Sequence, residues 1–198
     1  MKSLYESILS STGTGKFAYK KQIENYEFTP ELIKTLENEV AFYKPHDHDE
    51  LKKLIEQYIK VAGNNCSLNW IDTSEVTDMR NLFSSNTTRL FNGDISGWDV
   101  SNVKDMWSMF EGSKFNGNIS DWDVSNVVDM SFMFCNSKFN QNISKWDVSN
   151  VRYMNYMFKG SDFNKDISKW DVKKVEMDDE MFTNCPIKPE YKPKFNSL

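Results

Sequence analysis

Hydrophobic side chains in the second half of the chain recur with a period of 24 residues. A Trp-Asp-Val motif opens the units at Trp98, Trp122, Trp146 and Trp170, and a divergent copy begins at Trp70. Within one unit, Ile143 and Val148 have the spacing of a short strand that enters a bend. Val151 and Met154 continue at a three-residue step that suits a short helical turn. A single unit cannot bury these side chains alone, so the pattern predicts stacked units. We therefore expect an α/β repeat solenoid, leucine-rich-repeat-like, of about five 24-residue coils with short parallel strands.

The first third of the chain has helical periodicity instead of the repeat. A Thr-Pro helix start and apolar residues at helical spacing predict a helix over 30–43. A second apolar stripe predicts a helix over 49–62, and a capping-box pattern predicts a short helix over 4–10. Two helices with one apolar face each would cover the first coil, whose backbone groups would otherwise be unpaired.

Three segments follow from these patterns. Residues 1–63 are predicted to form a helical N-terminal cap with a flexible start, and residues 64–185 the leucine-rich-repeat-like solenoid. Residues 186–198 form a Pro/Lys-rich C-terminal tail, which we expect to cover the last coil.

Charge and hydropathy narrow the range of partners. The net charge is −5, with the acidic excess in the repeats, so a phosphate backbone would be repelled and no nucleic acid is expected. No apolar run reaches the roughly 18 residues of a membrane span. No signal-peptide pattern is visible, which predicts a cytoplasmic location, with virion or surface association as the alternative.

Polar side chains offer no catalytic or cofactor motif. The cysteines Cys66, Cys135 and Cys185 fit no metal spacing and are predicted to be buried free thiols. His46 and His48 lie together in one segment, which suits an interhelical turn better than a metal site. We therefore predict a protein without metal, cofactor or enzymatic activity.

Residues that are the same in every unit are most simply scaffold. The tryptophans should fill the core, with stacking on sugars as the alternative. The aspartates that follow them are Asp99, Asp123, Asp147 and Asp171. They should accept hydrogen bonds in Asx turns, with a ladder of calcium sites as the alternative.

Function should lie where the units differ. The variable positions between the buried residues carry Trp107, Phe132, Arg152, Tyr153 and Tyr156. Aromatic rings beside an arginine have the composition of an interface hot spot, so these residues are the candidate partner-binding site. The alternative is that the rings cover the N-terminal helices or a neighbouring coil.

The recurring pattern FNxDISxWDVSNVxxMxxMF resembles the BspA-like leucine-rich-repeat family, specifically its WDVSNV-type surface-protein repeat subclass. The resemblance implies a curved solenoid with a parallel sheet on one face and a role in adhesion or protein–protein interaction. We accordingly predict a non-catalytic protein–protein interaction module. The alternatives are a structural or assembly component of a larger particle, for example of a phage or bacterium, and a carbohydrate-binding or adhesion protein.

Overall fold

The computed structural model describes residues 21–38 and 42–195. After a helical turn at 21–24, the described helices are α1 (Pro30–Leu36), α2 (His48–Ala62) and the 3₁₀ helix η1 (Pro189–Tyr191). The short helix predicted over 4–10 lies outside the described residues.

Both α-helices begin at side-chain caps that the sequence indicates. The hydroxyl of Thr29 accepts from the N–H of Leu32 at 3.3 Å, and Pro30 occupies the first turn of α1. The Asp47 carboxylate accepts from the N–H of Glu50 at 2.9 Å at the start of α2. The helix predicted over 49–62 is therefore confirmed to within one residue.

The prediction that the first helix extends to residue 43 is wrong, because α1 ends at Leu36. Beyond it, the N–H groups of Phe42 and Tyr43 both donate to the carbonyl of Trp70, at 2.6 and 3.0 Å. The N–H of Asp72 in turn donates to the Tyr43 carbonyl at 2.7 Å. Backbone groups that pair with the first repeat in this way cannot also continue a helix.

The prediction of an α/β, leucine-rich-repeat-like solenoid with short parallel strands is also wrong. Over residues 21–38 and 42–195 no strand and no sheet forms, and the helices with defined bounds all lie outside the repeats. Parallel pairing is limited to isolated one-residue bridges, such as Asp105 with Asp129 and Asp129 with Tyr153. The repeats consist of turns instead.

Closely spaced Asx turns explain the missing strands. The carboxylates of Asp94, Asp99 and Asp105 each accept from the N–H two residues later, at 2.9, 3.0 and 2.9 Å. Each such turn redirects the backbone before an extended segment reaches the usual strand length.

Backbone hydrogen bonds nevertheless join successive repeats, which we number 1 to 5 from the tryptophans at 70, 98, 122, 146 and 170. Three of these bonds run from Met106 N to Asp129 O, from Ser108 N to Ser131 O and from Phe110 N to Met133 O, at 2.9 to 3.0 Å. Equivalent residues of neighbouring repeats therefore lie beside one another, in columns.

The core consists of such columns of buried side chains. The rings of Phe83, Phe110 and Phe134 stack with centroids 5.2 and 5.6 Å apart and nearly parallel planes. Each tryptophan from repeat 2 onward is buried and donates its Nε1–H to a carbonyl near the preceding tryptophan, as Trp122 does to Ile95 at 3.2 Å. Because its ring faces are inside the protein, the tryptophan column cannot stack on sugars.

The described part of the C-terminal tail packs along the end of repeat 4. Ile187 is buried one period after Phe163, and the N–H of Lys188 donates to the side-chain oxygen of Asn164 at 3.2 Å. The carbonyl of Tyr191 accepts from Ile167 N at 3.0 Å. Backbone groups at the end of repeat 4 thus have partners in the tail.

Candidate interaction surface

Three of the predicted partner-binding residues form one aromatic ladder, which we define as Trp107, Phe132 and Tyr156. The rings of Phe132 and Tyr156 stack with centroids 4.6 Å apart, and Trp107 meets Phe132 edge-on at 6.1 Å. The Lys159 ammonium lies 4.8 Å from the centroid of the Tyr156 ring. Trp107 is 37% exposed, and the other two rings are half-buried. The ladder therefore crosses repeats 2, 3 and 4 on the surface of the protein.

The backbone at this position does not require an aromatic residue. Phe132 and Tyr156 have φ angles of 60° and 57°, in the left-handed region. The same φ region holds for Asn81, Ser108 and Glu180, which occupy the equivalent place in repeats 1, 2 and 5. Small polar residues enter this region more readily than bulky ones. The two rings thus occupy a place where the fold itself favours a different residue type.

Acidic groups border the ladder. The Trp107 N–H donates to the Asp105 carboxylate at 2.9 Å. Burial raises the pKa of Asp105, and the neighbouring carboxylate of Asp129 raises it further. At one end Ser108 donates to Glu111 at 2.8 Å, and at the other Lys159 pairs with Glu180. Carboxylates therefore border the rings, with Asp105 and Glu180 paired to Arg80 and Lys159.

The other two predicted residues, Arg152 and Tyr153, lie outside the ladder. Arg152 is held in an ion pair with Glu176 of repeat 5 at 2.6 Å. Tyr153 lies in the bridge column, between Asp129 and Met177, and is half-buried. The structure thus brings together Trp107, Phe132 and Tyr156 but not the whole predicted set.

The aspartates after the tryptophans form Asx turns, as predicted. The carboxylate oxygens of Asp99, Asp123 and Asp147 accept from the N–H two residues later at 3.0 to 3.1 Å. These hydrogen bonds favour the ionised form and lower the pKa of Asp147. In the part of the chain that the structure describes, no group of three His, Cys, Asp or Glu residues could hold a metal ion.

The next residues to locate are the three cysteines and the two histidines. Cys66 and Cys135 are buried as predicted, whereas Cys185 is half-exposed. Burial raises the pKa of Cys66 to about 12. His46 lies in the bend before α2, as predicted, whereas His48 is the first residue of α2, and its Nδ1 lies 3.2 Å from the carbonyl of Asp78.

One surface was not predicted from the sequence. A cleft of about 600 Å³ between repeats 3 and 4 is lined by Lys145, Lys165 and Lys169 together with Asn142 and Ser144. Aligning the five repeats column by column would have shown these lysines accumulating at neighbouring positions.

Comparison with protein families places the repeats among known sequences. The family described as "Mycoplasma protein of unknown function, DUF285" matches residues 49–138 and again residues 113–189. Together the two matches cover more than half of the chain. The chain belongs to the DUF285 family.

The DUF285 matches begin within α2 and continue into η1, so they include the repeats and parts of both ends. This membership is consistent with the BspA-like resemblance, while the WDVSNV-type subclass stays a prediction. Among curated proteins and among solved structures, no match is found. No helix of the described ranges is long and apolar enough to cross a bilayer.

Proposed function

We propose that this protein is a non-catalytic interaction module that binds another protein through the aromatic ladder. The observation that carries the proposal is the run of rings from Trp107 through Phe132 to Tyr156, in which Phe132 and Tyr156 occupy a place where the fold favours other residue types. Aromatic side chains give a large, rigid contact area at low entropic cost, and they are enriched at interface hot spots.

The charges around the ladder indicate what kind of protein segment would fit it. Apolar rings bordered by the carboxylates of Asp105, Glu111 and Glu180 suit a segment that presents an apolar side chain next to lysine or arginine. The ring faces also attract cations directly, as the position of Lys159 over Tyr156 illustrates. A strongly acidic partner would be repelled.

Site-specific photocrosslinking from a residue of the ladder can identify the protein that binds there. A photoreactive phenylalanine analogue at position 132 should crosslink a specific protein in the cells that make this chain. The same analogue at Leu90, which is 44% exposed and outside the ladder, provides the control. A crosslinked protein that appears equally from both positions contradicts the proposal.

The repeats themselves supply matched substitutions for the binding measurement. Trp107→Ser copies Ser131, and Phe132→Ser and Tyr156→Ser copy Ser108, so each variant carries a residue that another repeat accepts at that place. Loss of a hot-spot ring should weaken binding of the purified partner by about thirtyfold, whereas Leu90→Ser should bind like the parent. Unchanged affinity in all three ladder variants, with unchanged melting temperature, would refute the ladder as the docking site.

A glycan array separates this proposal from carbohydrate binding by the same rings. Binding of a defined glycan that Trp107→Ser and Tyr156→Ser both abolish would replace the protein-binding proposal. A stoichiometric oligomer that persists in all three ladder variants would favour the assembly role instead.

A further inference from the structure

We propose that the lysine-lined cleft between repeats 3 and 4 binds a multiply charged oxyanion, a phosphate or sulfate group. Lys145 belongs to repeat 3, and Lys165 and Lys169 belong to repeat 4, so the cleft draws positive charge from two repeats. Its volume of about 600 Å³ is large enough for a ligand bigger than a single ion. We name these three residues the lysine cluster.

The lysine cluster is confined to one part of an otherwise regular scaffold. The equivalent pairs along repeats 1 to 4 are Gly93 and Gly97, Gly117 and Asp121, Gln141 and Lys145, and Lys165 and Lys169. Repeats 1 and 2 carry no long basic side chain at these places, and Gly93 has no room for one, because a Cβ there would lie 1.9 Å from the Cys66 carbonyl oxygen. Long basic side chains therefore begin only where the cleft begins. A residue type needed for stacking would recur in every repeat.

The positive charges of the cluster lack internal compensation. Several basic side chains elsewhere in the described residues form ion pairs across repeats, as Lys138 does with Asp162 at 3.1 Å. The three lysines of the cluster form no ion pair within 4.0 Å with any residue that the structure describes. Asp166 is the one carboxylate that lines the cleft, and its Oδ1 accepts from Ser168 N at 2.9 Å. Three cations facing one carboxylate on a chain of net charge −5 mark a local site for an anion.

Polar groups in the cleft add directional contacts. Asn142 and Ser144 line the same space as the lysines. The Asn142 Oδ1 accepts from Ser144 N at 3.0 Å, which fixes the local turn and leaves the amide NH₂ as a donor. Lysine ammonium groups supply point charges, and these neutral donors can bind the remaining oxygens of a phosphate or sulfate.

Titration calorimetry of the full chain with inorganic pyrophosphate, sulfate and acetate tests this proposal. We expect pyrophosphate to bind with a stoichiometry of one, more tightly than sulfate, with no measurable binding of acetate. Each of Lys145→Gln, Lys165→Gln and Lys169→Gln should weaken pyrophosphate binding by about fivefold. Tighter sulfate than pyrophosphate binding would assign the site to sulfated rather than phosphorylated ligands.

Two further variants separate a binding role from a structural one. Asp166→Asn keeps the turn, because Asn118 and Asn142 form the same turn with Ser120 and Ser144. It removes the opposing charge and should tighten pyrophosphate binding by about fivefold. Lys104→Gln removes an exposed lysine elsewhere and should change nothing.

The proposal is overturned by either of two results. One is the absence of saturable pyrophosphate binding by the parent chain at about 0.1 M salt, where surface charges are substantially screened. The other is that Lys104→Gln weakens pyrophosphate binding as much as the cluster variants do. Such a result would mean that binding depends on the net charge alone. Because the ladder variants leave the cleft intact, this test is independent of the proposed protein-binding function.

Discussion

At the scale of single residues, methionine side chains fill the space between adjacent repeats. Met109, Met133 and Met157 are fully buried at equivalent places, and each contributes a flexible, unbranched chain that adapts to its neighbours. Their period was readable from the sequence, because a stacked repeat must present the same apolar residue at the same place in every unit.

Met133→Ala should lower the free energy of unfolding by about 2–5 kcal/mol, because a cavity remains between two repeats. Ser131→Ala is the matched control and should cost under about 0.5 kcal/mol, since no comparable cavity forms. Denaturant titration of both variants gives the comparison. Equal losses of stability would contradict the assignment of Met133 to the core.

The burial of Ser131 shows that the sequence pattern does not determine the direction of a side chain. Ser131 occupies the variable position that carries Trp107 in repeat 2, so the comparison of repeats predicts a surface residue, yet Ser131 is only 5% exposed. Spacing along the chain gives the period of a position but not the direction of its side chain, which the Asp129 turn and the left-handed φ of Phe132 set here. The same reason explains why Tyr153 was grouped with rings that it does not join.

Turns of one kind, rather than strands, are the repeating element of this fold. The sequence indicated Asx turns after each tryptophan, and these are present. The same Asp-x-Ser spacing also occurs at Asp94 and Asp129, where it was not used in predicting the backbone, and both form the same turn. Counting all of them would have shown that little extended chain remains for a strand.

An asparagine column connects these turns between repeats. The side-chain oxygens of Asn92, Asn116 and Asn140 accept from the N–H of the equivalent asparagine one repeat later, at 2.8 to 2.9 Å. The column ends where Asn164 accepts from Lys188 N. Each bond satisfies a backbone donor that the absent sheet would otherwise have paired.

Asn140→Ala should therefore lower the free energy of unfolding by about 1–3 kcal/mol, because Asn164 N loses its acceptor. Asn140→Asp retains an acceptor oxygen and should cost clearly less. Thermal and denaturant unfolding of the two variants provides the measurement. An aspartate variant as unstable as the alanine variant would show that the accepted hydrogen bond is not the stabilising feature.

At the scale of the whole molecule, two surfaces differ in how far the sequence revealed them. The ladder was partly predicted, because its rings stand out against the repeat at single positions. The basic cleft was missed, because Lys145 and Lys169 are unremarkable one at a time in an acidic chain. They can be recognised as parts of one basic site only when it is known which columns lie side by side. That arrangement is set by the fold.

Segments that flank the repeats form backbone contacts near both ends of the stack. At one end, Tyr43 pairs with Ile71 of repeat 1, and at the other, Tyr191 accepts from Ile167. Since each repeat contacts mainly its neighbours, stability should depend on these ends and should be lost from whichever end is opened.

Ile187→Asp tests this dependence, because it places a charge at a site only 5% exposed, next to the last repeat. We expect the amides of Phe158 and Ile167 to exchange hydrogen at least about tenfold faster, since repeats 4 and 5 then open locally. The amide of Met79, at the far end of the stack, should change much less. Lys188→Asp, at an exposed neighbour, should leave all three amides protected. Equal acceleration at Met79 and Ile167 would instead mean that the five repeats unfold as one cooperative unit, and that the ends do not control where opening begins.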